Sequence, residues 1–122
     1  MKAVVASFVL LALVLCFVIL MTVLLPCEAE RLSRASEELI GRTDEERTEG
    51  ALALQEEWER SEFWFSLVTA HEEIDEATRE LVHLVSTAKA KSDSEFQLAA
   101  ASLAEHFAHI GRLNALSLDG IL

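Results

Sequence analysis

From Ala3 to Leu25 the chain carries no charged side chain. The run is built from Ala, Val, Leu, Ile, Phe, Met and Cys, interrupted only by Ser7 and Thr22. As an α-helix rising ~1.5 Å per residue it is ~34 Å long, enough to cross a hydrocarbon core of ~30 Å. The apolar core of a cleaved signal peptide usually runs about 7–15 residues. This one is longer, and no convincing A-x-A cleavage site follows it. The expectation is an uncleaved transmembrane anchor over 1–26, in contact with the bilayer through residues 3–25. An amphipathic juxtamembrane helix over 27–42 follows, then an acidic helical bundle over 43–122 that ends in an apolar tail.

Charge separates the two parts. Formal net charge is −11, and Lys2 is the one charged residue before Glu28. All 21 acids therefore fall on the polar part, which has room for one domain. Such a surface repels nucleic acid and anionic lipid heads, which argues against DNA or RNA binding. Lys2 favours an amino terminus inside the cell, whereas Arg31, Arg34 and Arg42 favour the reverse. The expected arrangement is N-in, with the helical domain outside the cytoplasm.

Cys16 lies within the apolar run and reads as a small apolar filler. Cys27 follows the run at its polar end. On one continuous helix the two are separated by about 16 Å along the axis, too far for a disulfide. Cys27 is left as a free thiol, a bridge to a second copy, or a lipidation site. Leu24-Leu25-Pro26-Cys27 is a poor lipidation signal, because Pro26 stands where a small residue is needed.

Beyond Pro26, the only proline, the sequence reads as helix throughout. Thr43-Asp-Glu-Glu46, Thr69-Ala-His-Glu72 and Ser92-Asp-Ser-Glu95 each match a capping box, in which hydroxyl and carboxylate satisfy each other's backbone N–H groups. Gly41 suits a helix stop, and Lys89 and Lys91 suit a helix carboxyl end. Apolar residues recur at three and four. One stripe is Ile74, Ala77, Leu81, Leu84 and Ala88. A second is Phe96, Ala100, Leu103, Phe107 and Ile110. A third is Ala51, Leu54 and Trp58, continued by Phe65 and Val68. The stripes are too short for a coiled coil and point to a compact bundle around Trp58, Leu81, Leu84, Leu103 and Phe107.

A faint repeat of 49 residues supports this. It sets Thr43 over Ser92, Gly50 over Ala99, Ala51 over Ala100, Leu54 over Leu103, Trp58 over Phe107 and Leu32 over Leu81. The fold class expected is all-α: a transmembrane helix followed by a small antiparallel bundle of two helical hairpins, roughly 29–68 and 70–111, stacked as in helical repeats. Gly111 and Asn114 are expected to end the last helix. The tail would then turn back, laying Leu118 and Ile121 along Trp58–Phe65.

Chemical motifs are few. No Gly-rich phosphate loop, C-x-x-C, H-E-x-x-H or nucleophile setting occurs, so neither enzymatic activity nor a cofactor is expected. His71 stands beside Glu72 and Asp75, a conceivable metal set. Acids in the first turns of a helix are equally explained by its dipole, so no metal site is assigned. Glu80-Leu-Val-His83 has the E-x-x-H spacing of di-iron bundles, but those need two such motifs. His106 and His109 stand three apart on one predicted helix. The aromatics Trp58, Phe63, Trp64 and Phe65 crowd into eight residues. One narrow stripe cannot bury all four, so either the bundle wraps this segment or an aromatic face stays open for a partner.

The chain resembles a bacterial family of small single-pass proteins catalogued as domain of unknown function 4363. The residues carrying the resemblance are Trp58, Trp64, the run His71-Glu72-Glu73-Ile74-Asp75, Leu81, Leu84, His109-Ile110 and the ending Ser117-Leu118-Asp119-Gly120-Ile121-Leu122. Family members tend to have Asn where this chain has Gly120. The resemblance implies an amino-terminal anchor in a bacterial cell membrane and an all-helical domain, and it brings no activity. The expected role is a membrane-tethered interaction or scaffold module. It would meet an unidentified protein partner or a second copy through Trp58, Phe63, Trp64, Phe65, His71, Glu72 and Asp75. The alternative is a metal- or ligand-sensing bundle that uses its histidines and carboxylates.

Overall fold

The computed structural model describes residues 1–121, with side chains described as far as Asn114. Four α-helices follow one another: α1 (Lys2–Glu38), α2 (Asp44–Ser66), α3 (His71–Lys89) and α4 (Asp93–Ile121). A 3-10 turn at Leu39–Gly41 closes α1, in keeping with the stop expected at Gly41. No strand occurs among the described residues. The connections are short, so consecutive helices run antiparallel, and α4 closes the ring against α1.

Helix α1 passes through Pro26 without a break. Proline has no N–H, so the carbonyl of Thr22 loses its donor four residues on. Before Met21 every residue of α1 is exposed; beyond it Met21, Thr22, Leu25, Ala29, Leu32, Ser33 and Ser36 are buried. One helix is thus a bare apolar rod at its start and a quarter of the bundle at its end.

The core follows the three predicted stripes. Trp58, Leu81, Leu84, Leu103 and Phe107 are all at most 1 % exposed. Every other residue named in the α3 and α4 stripes is also buried. Val68 departs from its stripe: α2 ends at Ser66, and Val68 lies exposed in the following turn.

The caps divide. At Thr43 both bonds of the capping box form. Helix α4 starts directly after Ser92, whose carbonyl accepts the Phe96 N–H at 2.9 Å. The box expected at Thr69 does not form: α3 starts at His71 behind Ala70, without a side-chain cap. The Thr69 hydroxyl instead donates to the Asn114 side-chain carbonyl of α4 at 3.2 Å. Helix α3 ends in a Schellman turn, with Ser92 N–H on the Thr87 carbonyl and Lys91 N–H on the Ala88 carbonyl. Lys91 takes the left-handed position at φ 55°.

The expectation for the end of the chain is corrected. Helix α4 continues through Gly111 and Asn114 to Ile121. Gly111 serves packing instead of termination. A Cβ placed there would lie 3.2 Å from the Ala29 Cβ and 3.6 Å from the Pro26 carbonyl oxygen. The packing proposed for Leu118 and Ile121 lies outside the described side chains.

Small residues bring α1 and α4 together. Ala29, Ser33 and Ser36 of α1 face Ala100, Ala104 and Gly111 of α4. The buried Ser33 hydroxyl donates to the Ala104 carbonyl at 2.7 Å, and the buried Ser36 hydroxyl to the Ala100 carbonyl at 2.8 Å. Two buried polar groups thereby become cross-helix ties.

Candidate functional site

The residues singled out in the sequence separate into three groups. Trp58 and Phe65 belong to the core, at 1 % and 0 % exposure. Their rings stack with centroids 5.4 Å apart, and Trp58 meets Phe107 at the same distance. The indole N–H of Trp58 donates to the Thr78 hydroxyl at 3.0 Å, which satisfies its one buried polar atom. Neither ring is available to a partner in this fold.

Phe63 and Trp64 point outward and pack edge to face, 5.3 Å between centroids. They sit at the carboxyl end of α2, where exposed Leu67 and Val68 extend the apolar surface into the turn. Trp64 also meets Phe17 of the bare half of α1 at 6.3 Å. The open aromatic face therefore lies at the end of the bundle from which the apolar rod departs.

A groove of about 610 Å³ runs along this junction. Phe17, Leu20, Leu24 and Trp64 line its apolar end, and Glu28, Arg31, Arg60 and Ser61 its polar end. Arg31 is held by Glu28 at 2.5 Å and Glu57 at 3.4 Å. The hydrogen bond to Glu28 raises the Arg31 pKa above its ordinary value, against a smaller effect of burial.

The third group, His71, Glu72 and Asp75, is exposed on the first turns of α3. The structure does not gather these side chains into a cluster.

A different cluster forms between α3 and α4. His106 of α4 is 9 % exposed at its side chain, and carboxylates flank both ring nitrogens. Nε2 lies 2.8 Å from Glu73 and Nδ1 lies 3.3 Å from Glu80. Glu73 and Glu80 are half-buried, and Glu76 stands on the same face of α3, exposed. Burial raises the pKa of the Glu80 carboxyl, and the nearby His106 opposes the shift. The i, i+3, i+7 spacing of Glu73, Glu76 and Glu80 marks one helix face. In the linear sequence Glu80 pairs by spacing with His83, and His106 with His109. In the fold His83 and His109 are exposed, and Glu80 turns to His106.

At the far end of the bundle Arg47 is buried, a placement the sequence did not announce. Its guanidinium pairs with Asp93 of α4, donates to the Ile40 carbonyl at 2.7 Å and lies 4.9 Å from the centre of the Phe96 ring. One side chain ties the end of α1, the start of α4 and α2 itself.

Comparison with known families matches residues 29–121 to the family described as Domain of unknown function (DUF4363). The chain belongs to that family. Comparisons with curated proteins and with solved structures returned no match. The matched segment starts at Ala29, within α1, and takes in the part of that helix that completes the bundle.

Proposed function

We propose that this family member is a membrane-tethered, non-enzymatic helical module that positions a protein partner at the bilayer surface. One observation carries the reading. The single helix long and apolar enough to cross a membrane is, among the described residues, also a core helix of the bundle. Its apolar half is bare, and lipid is the solvent in which such a surface is stable. The exposed pair Phe63 and Trp64 then falls at the membrane–water boundary, where amphipathic aromatic rings are favoured. In this arrangement the amino terminus is inside and the bundle outside, its acidic faces turned to a partner with basic surface.

The test uses the full chain in its native membrane. Extraction with alkaline carbonate should leave the protein in the membrane fraction, and its release would overturn the tether. Photo-crosslinkers placed at exposed positions of α2 and α3 should trap a discrete adduct. If only lipid adducts form at every position, the partner-holding role is refused.

A further inference from the structure

The His106 cluster has an electrostatic conflict. A neutral imidazole has one N–H and one lone pair. Both ring nitrogens of His106 face carboxylate oxygens, Nε2 at Glu73 and Nδ1 at Glu80. One contact can be a hydrogen bond. The other sets a lone pair against a carboxylate oxygen unless a cation lies there. A cation there has a third donor on the same face of α3, the Glu76 carboxylate. Glu73, Glu76 and His106 each offer one ligand atom, and these atoms lie within 4.8 Å of one another. A single ion with bonds of about 2.0–2.2 Å can reach all three after small side-chain rotations.

We infer that Glu73, Glu76 and His106 form a binding site for a first-row transition-metal dication such as zinc. Glu80 is the positioning residue. By accepting a hydrogen bond from Nδ1–H it fixes the tautomer that turns the Nε2 lone pair toward Glu73. A carboxylate behind a ligating histidine is a recurrent feature of metal sites and raises the basicity of the ligand. One imidazole with two carboxylates suits zinc, manganese or iron better than magnesium or calcium, which prefer an all-oxygen shell. The exposure of Glu76 opens the site to solvent, so water can enter and complete the coordination shell. This site is independent of the membrane-tether reading, and its test does not depend on that reading.

The experiment is calorimetric titration of the full chain in detergent micelles with zinc alone, then with manganese. One zinc ion per chain is expected. Glu76→Gln, an exposed substitution that leaves the core untouched, should weaken zinc binding at least tenfold, and His106→Ala should abolish it. Glu80→Gln should weaken it about 10–100-fold, as loss of an outer partner does. His83→Ala and His109→Ala should bind as the parent does. Circular dichroism of each variant separates lost binding from lost folding. Absence of zinc binding by the parent chain would overturn the site and leave His106 as a structural link between α3 and α4. Unchanged affinity in Glu76→Gln would overturn the ligand set.

Discussion

Trp58 and Phe107 stand 49 residues apart in the chain and meet ring to ring in the core, 5.4 Å between centroids. They are also equivalent positions of the internal repeat. Arg47 and Phe96 share that spacing and also touch, guanidinium over ring. Each contact joins α2 to α4 across the bundle. Repeat-equivalent residues meet in this way when two similar hairpins pack about an axis parallel to the helices. Trp58→Leu and Phe107→Leu should therefore be non-additive, with a coupling of about 0.5–1.5 kcal/mol beyond lost area. A double-mutant cycle from denaturant melts measures it.

Leu103 is fully buried in the centre of α4. Leu103→Ala should destabilise the bundle by about 2–5 kcal/mol, the range for a large-to-small change in a close-packed core. Thermal or urea unfolding followed by circular dichroism reads this directly.

The α1–α4 seam depends on small side chains. Gly111→Leu would drive a side chain into Ala29 and the Pro26 carbonyl. The expected cost is about 1–3 kcal/mol, typical of overpacking. Ser36→Ala should cost less, about 0.5–1.5 kcal/mol for one hydrogen bond. The order of the two melting temperatures distinguishes a seam governed by shape from one governed by polarity.

Lys91 occupies a left-handed position that costs a non-glycine residue about 1–2 kcal/mol. Lys91→Gly should raise stability by roughly 1 kcal/mol, net of the extra freedom glycine has in the unfolded chain. A rise in the unfolding midpoint without a change in slope is the expected readout.

The two tryptophans report on different surroundings. In vesicles containing brominated lipid, Trp64 emission should be quenched in a Trp58→Phe variant. Trp58 emission should survive in a Trp64→Phe variant. Equal quenching of both would contradict the proposed position of Trp64 at the bilayer boundary.

The helices were legible because their faces are written locally. The stripe from Ile74 to Ala88 and the stripe from Phe96 to Ile110 each repeat at three and four, and the core follows them. The α1–α4 seam was not legible, because Ala29, Ser33 and Ser36 carry little apolar signal and act by being small. Thr69 and Gly111 misled for a common reason. Each has a familiar local role, as cap or terminator, and tertiary contact with α4 or α1 overrode it. The His106 cluster joins residues 33 and 26 apart, across two helices. Nothing in the spacing of Glu73 or Glu80 along α3 indicates which histidine of α4 it will face.

Because α1 runs unbroken from Lys2 to Glu38, no swivel separates the apolar rod from the bundle. Rotation of the rod about its own axis becomes rotation of the whole domain. One residue inserted between Leu20 and Met21, where the bare rod meets the bundle, would turn the bundle by about 100° and lift it by about 1.5 Å. Four inserted residues would leave it about 40° from its original heading. Whatever the acidic faces address, their compass bearing is set by the rod.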